Sequence, residues 1–239
     1  MIIFHAAALI IAILILYRAT MFTSLAAVRS SNAGHALPQK PVAIFVGGTS
    51  GIGRGMAEAF ARYSNGNAHI VLIGRNRAAA ESILASLPKS NTSEHNFTHE
   101  FIQCDVTLMK NVNTLTQQLL QRYPTINFLV MSPGFISMKG RDETPEGIDR
   151  KLAAIYYARW KFTRDLLPSI QRAKDAGEEA KVVSILTAGR GTAIDTDDLG
   201  LKKSFSAGAA AGATSTYNDL MMEVGASWSF EYDQILTAT

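Results

Sequence analysis

Short apolar runs alternate with amphipathic segments along most of this chain. Runs stand at 42–46 (Val-Ala-Ile-Phe-Val), 69–74, 100–104, 127–131 and 181–186. They are too short for buried helices and are flanked by turn residues, so they predict strands covered on both faces, as in a parallel sheet. Between them the apolar spacing is helical. Ile52, Met56 and Phe60 share one face, and Val112, Leu115, Leu119 and Tyr123 share another. A longer helix is predicted from about Pro145 to Leu167. It carries Leu152, Ile155, Tyr156 and Phe162 and stops before Pro168. A further helix is expected around Ser215 to Val224. This alternation predicts an α/β fold, a doubly wound Rossmann-type parallel sheet.

The first residues follow another pattern. Ile2–Tyr17 is 16 consecutive residues without a formal charge, His5 aside. As a helix it would extend about 24 Å, a little short of the roughly 30 Å hydrocarbon core of a bilayer. Arg18 at its end, with Met21, Phe22 and Leu25 beyond, makes an N-terminal apolar helix that anchors the chain in a membrane feasible. The basic residues Arg18, Arg29 and Lys40 all follow the run, which favours an endoplasmic-reticulum-like anchor with the rest of the chain facing the cytosol. The alternatives are a cleaved signal peptide, with Ser24-Leu25-Ala26 as its small-residue site, or a cytoplasmic chain with this segment buried. The expected organisation is therefore an anchor or signal-like helix over 1–22, a small and polar linker over 23–40, and a nucleotide-binding domain over 41–239.

Composition narrows the classes. The 239 residues are 47% hydrophobic, ample for one core, and the net charge of +3 without a Lys/Arg cluster argues against nucleic acid. The single cysteine, Cys104, excludes an internal disulfide, and nothing has metal-ligand spacing, so no metal is expected. The sequons at Asn91 and Asn96 would be idle on a cytosolic chain.

The chemistry concentrates after the first strand, in Val46-Gly-Gly-Thr-Ser-Gly-Ile-Gly-Arg54. A strand that empties into a glycine-rich turn and then a helix suits a diphosphate. Small residues admit the backbone closely, and the helix N-terminus offers free N–H groups and partial positive charge. Gly47, Gly51 and Gly53 make Gly-x-x-x-Gly-x-Gly, and no Gly-Lys-Ser/Thr follows, which excludes a P-loop. A ligand-free turn is the plain alternative.

This segment resembles the cofactor loop of the short-chain dehydrogenase/reductase family, and the resemblance runs over about 41–224. Beyond that the strand, Pro-Gly turn and final helix that the family shows have no counterpart, so the domain is expected to be incomplete at its C-terminus. The resemblance implies that Gly47, Thr49, Ser50, Gly51, Ile52 and Gly53 receive a dinucleotide. Arg75, in Gly74-Arg-Asn76, takes the place facing the adenosine ribose, where a guanidinium pairs with a 2′-phosphate and selects NADP. A solvated arginine is the alternative there. Asn76 joins it, Asp105 resembles the adenine-binding acid unless it only caps a helix, and Gly134 in Met131-Ser-Pro-Gly keeps the close approach after the fourth strand.

The catalytic half departs from the family. Its tyrosine falls on Tyr217, which could equally be a packed helix residue, and its serine falls on Thr187. The lysine one turn after the tyrosine, which lowers the phenol pKa, falls on Met221, and the helix asparagine falls on Ile155. A lysine from the 195–203 loop is a candidate substitute. The implied activity is an NADP-dependent interconversion of a carbonyl and a secondary alcohol on a small lipophilic substrate. Segments such as Glu146-Gly-Ile-Asp-Arg-Lys-Leu are similar to fungal members, many of them in secondary-metabolite pathways. A nucleotide-binding pseudoenzyme, a non-catalytic partner protein and a non-functional product are the competing readings, and an oligomer is open.

Overall fold

The computed structural model describes residues 24–34, 37–38, 40–90, 96–137, 139–186 and 189–228. Thr187 and the apolar segment Ile2–Tyr17 lie outside the described residues. Among the described residues no helix is long and apolar enough to cross a membrane. The contacts divide the chain into Met1–Leu37 and Pro38–Thr239.

The first unit corrects one expectation. Within the stretch read as linker, α1 spans Leu25–Gly34. Ser24 caps it, its Oγ accepting the Ala27 N–H at 3.1 Å.

The second unit is built on a five-stranded parallel sheet, β1 (Val42–Val46), β2 (His69–Gly74), β3 (His99–Gln103), β4 (Phe128–Met131) and β5 (Lys181–Ser184), in the order β3-β2-β1-β4-β5. Every residue of β1 is buried, as the continuous apolar run requires of a central strand covered on both faces. The helices α2 (Gly51–Tyr63), α3 (Arg77–Ser86), α4 (Met109–Arg122) and α5 (Ala158–Asp175) make the crossovers, and α6 (Ala207–Trp228) follows β5. The fold is the doubly wound Rossmann type. Chain direction across the sheet reverses between β1 and β4, which sets the crevice where such sheets bind ligands.

Two cores cover the sheet. On one face Ile44, Val71, Leu129 and Phe162 meet α4 and α5. On the other Phe45, Leu72 and Ala57 meet α2, and Phe60 stands edge-on between Phe45 at 6.0 Å and Phe128 at 5.2 Å. At the rear of the sheet the buried Asn127 accepts the Val42 N–H at 3.0 Å and donates to Glu178 at 2.7 Å, tying the starts of β1 and β4 together.

The long helix departs from its expectation at both ends. It starts at Arg150, where Asp149 caps the N–H groups of Lys151 and Leu152, runs through a π-helical turn at Ala153–Tyr157, and continues past Pro168 to Asp175. Pro168 is tolerated because it and Arg164, whose carbonyl it orphans, both face solvent.

Candidate functional site

At the end of β1 the chain turns sharply. Gly47 has φ +84°, and its N–H donates to the Ile73 carbonyl at 2.9 Å. A Cβ there would lie 2.9 Å from the Pro133 nitrogen, so both conformation and space demand glycine. Gly53 is as constrained, since a Cβ would collide with Ser132 Oγ and come within 2.5 Å of the Gly47 carbonyl. The turn is thus wedged against Ser132-Pro133 at the end of β4. Ser50 opens α2 in extended conformation, with its hydroxyl unused as a cap. The first intrahelical bond runs from Arg54 N–H to the Ser50 carbonyl at 3.2 Å, which leaves the N–H groups of Gly51, Ile52 and Gly53 ahead of it.

This turn borders a cleft of about 300 Å³. Every cofactor candidate lines it except Gly53 and Asn76. Gly53 acts from behind, by letting the turn close. Ile52, expected on the packing face of α2, is instead 63% exposed at the cleft because it precedes the first full turn over the sheet. Asn76 serves the fold: its Oδ1 accepts the Ala79 N–H at 3.0 Å and caps α3. Gly134 is less constrained than expected, since a Cβ would rest in ordinary contact, 3.6 Å from Ile155.

Arg75 projects from the end of β2. Its backbone carbonyl accepts from Gln103 at 3.0 Å, and among the described residues no ion pair engages its guanidinium. Asp105 uses one carboxylate oxygen in a tight turn, accepting the Thr107 N–H at 3.0 Å and the Thr107 hydroxyl at 2.8 Å. It does not cap the next helix. Glu146 does, taking the N–H groups of Met109 at 2.6 Å and Lys110 at 3.0 Å. Cys104, beside Asp105 on the cleft wall, has its thiol pushed up to about 11 by burial and by the neighbouring carboxylate.

The reaction end is arranged differently. Tyr217 is 7% exposed, lies in a satellite core with Leu152, Leu201 and Ala210, and is not part of the cleft wall. Its hydroxyl donates to the Leu199 carbonyl at 3.1 Å, and its ring packs on Tyr156 at 5.1 Å. Burial pushes its pKa up, assisted by Tyr157, Tyr156, Asp198 and Asp195, the opposite of what a lysine neighbour would do. The lysines of the 195–203 loop do not fill that place. Lys202 and Lys203 are exposed, and their backbone N–H groups are spent on Asp198 at 2.7 and 3.0 Å. Met221 is 3% exposed and belongs to the main core.

Sequence reasoning missed a buried polar network at this end. Arg159, on α5, donates to Ser184 Oγ at 2.8 Å, to the Ile185 carbonyl at 2.7 Å and to the Pro133 carbonyl at 2.8 Å. Ser184 Oγ in turn meets Asn218 Oδ1 at 3.2 Å, and the Asn218 amide donates to the Ile155 carbonyl at 3.0 Å inside the π turn. The available signal was a charged residue on the inward stripe of Ile155 and Phe162.

The model of the short chain dehydrogenase family matches residues 41–191. The chain belongs to that family. It is 42% identical over 184 residues, 77% of its length, to the oxidoreductase AN1596 of Emericella nidulans, of which the match covers 53%. It is 33% identical over 182 residues, 76% of its length, to the oxidoreductase andH of Emericella variicolor, of which 52% is covered. The chain thus spans about half the length of these relatives. Among solved structures, a metagenomic short-chain oxidoreductase in complex with NADP superposes with a TM-score of 0.57 at 20% identity, covering 79% of this chain and 76% of that one. At that identity the likeness concerns the fold alone. The family's dinucleotide suits the residues present, because Gly47 and Gly53 let the turn close against Ser132-Pro133 and the N–H groups that open α2 precede its first intrahelical bond.

Proposed function

We propose that this chain is an NADP-dependent oxidoreductase that interconverts a carbonyl and a secondary alcohol on a small lipophilic molecule. The observation that carries the reading is the continuity of one cleft from the glycine turn to Arg75. The pyrophosphate would rest on the N–H groups that open α2, and the unpaired Arg75 guanidinium would take the 2′-phosphate in a charge-assisted, bidentate contact. Asp105 keeps a carboxylate oxygen that its own turn does not use, available to an exocyclic amino group. Phe135, Ala154 and Ile185 give the other end of the cleft an apolar wall, which supports a lipophilic substrate.

When bound, the cofactor supplies or accepts the hydride. The chain must then steady the carbonyl oxygen and exchange a proton, the tasks assigned to Thr187 and Tyr217. Before Tyr217 can act, its hydroxyl must leave the Leu199 carbonyl.

That bond, with Met221 in the core, favours a second reading, a nucleotide-binding protein without turnover. Titration of NADPH and then NADH into the full chain, followed by cofactor fluorescence, tests what the two readings share. Tighter binding of NADPH is expected, and binding of neither would sink both. Carbonyl reduction by the native chain that Tyr217→Phe abolishes, with binding kept, separates the first from the second.

A further inference from the structure

Arg159 is 2% exposed, and among the described residues no carboxylate pairs with it. Desolvation is the one influence on its titration, which is lowered to about 10. Among the described residues its Nε has no hydrogen-bond partner. Among the described residues its hydrogen-bond partners are neutral: Pro133 after β4 and Ser184 and Ile185 at the end of β5, with Asn218 behind Ser184 on α6. A buried guanidinium without a counter-charge is costly, and here it is retained.

Its position bears on the cleft. Pro133 and Ile185, whose carbonyls it holds, both line that cleft. In a doubly wound sheet a dinucleotide lies across the carboxyl ends of the strands at the point of reversal. Here the pyrophosphate would sit over the glycine turn after β1, and the adenosine would run toward Arg75 and Asp105, after β2 and β3. The second nucleoside is left with the ends of β4 and β5, directly over the Arg159 contacts.

We propose that Arg159 sets the redox preference of the site, its uncompensated charge favouring the reduced cofactor over the oxidised one. The oxidised nicotinamide ring carries a positive charge and the reduced ring is neutral, while the remaining charges of the two forms are alike. A fixed cation beneath that end therefore repels only one of them, through an interior where the field is weakly screened. The consequence is a site that fills with the reduced form from a mixed pool and holds it as a weaker hydride donor than it is in solution. This rests on the nucleotide reading above.

The test is the ratio of dissociation constants, NADP⁺ over NADPH, measured by calorimetry on the full chain. The native ratio is expected well above one. Arg159→Met, which keeps volume and removes charge, is expected to lower it about tenfold, whereas Arg159→Lys is expected to preserve most of it. If Arg159 were only a brace for the strand ends, Arg159→Met would weaken both forms equally and leave the ratio unchanged, which overturns the proposal. Should Arg159→Met fail to unfold cooperatively, Arg159→Gln, which retains donors for the carbonyls, replaces it. Equal native affinity for the two forms also overturns the proposal while leaving the nucleotide reading intact. Binding of neither form overturns both.

Discussion

The two ends of the cleft are built by opposite means. On the side of β1, β2 and β3, the site is backbone: a glycine turn forced open by φ and by contact with Ser132-Pro133, and a helix N-terminus with its first N–H groups unspent. On the side of β4, β5 and α6, the site is side chains, and the tyrosine expected to react is engaged elsewhere. Tyr217 is bonded to Leu199, Met221 is packed in the core, and the buried cation is Arg159. A backbone site tolerates drift in the surrounding sequence as long as a few glycines persist. A side-chain site changes character with single substitutions, so binding can outlast chemistry in such a fold.

The largest effect on this contrast is expected from Gly53→Val. Its side chain would overlap Ser132 and the Gly47 carbonyl, so NADPH binding should vanish in a titration, with a stability loss of about 1–3 kcal/mol from overpacking. Retained binding would show that the turn is not the cradle. Met221→Lys addresses the other end. A charge placed in the main core should cost about 3–5 kcal/mol in denaturant unfolding, while the folded fraction still binds nucleotide. A stable variant with a lowered Tyr217 pKa would instead mean that the lysine reaches the phenol, and the two ends would then differ by one residue. Arg75→Glu should weaken NADPH by about 1.5–3 kcal/mol, roughly tenfold to a hundredfold, with NADH gaining relative to it. Equal losses for both cofactors would remove Arg75 from the selection.

The smallest effect is a pH dependence. Tyr217→Phe removes one hydrogen bond, so it should cost about 0.5–1.5 kcal/mol near neutral pH. The folded pKa of Tyr217 lies above its unfolded value, so the native chain loses that residue's contribution as pH rises above about 10. The stability gap between native and Tyr217→Phe should narrow there. A gap independent of pH would show that the phenol titrates freely.

The fold and the backbone half of the site were legible because both depend on local pattern. Apolar runs mark strands, and a glycine whose Cβ would strike the next strand cannot be replaced at the turn. Even so, Ile52 and Asn76 show the limit, since spacing cannot say whether a side chain at a helix start faces the sheet, the cleft or its own backbone. The other half depends on long-range pairing. That Glu146 caps α4, that Arg159 spans two strand ends, and that Leu199 receives the Tyr217 hydroxyl are contacts between residues 18 to 37 positions apart. No periodicity encodes them. The catalytic correspondence also gave no sign that Asn218, next to Tyr217, carries the link to the long helix.

The π turn at Ala153–Tyr157 has the geometry of a single inserted residue. One extra residue rotates everything beyond it by about 100° relative to everything before it. Leu152, ahead of the turn, therefore points into the satellite core around Tyr217, while Phe162 and Leu166, beyond it, point into the main core. One continuous rod serves two interiors that face different ways. Deleting one residue there would let the turn close as ordinary α-helix with both halves keeping their present faces, whereas forcing α geometry on all the residues would turn one half away from its interior.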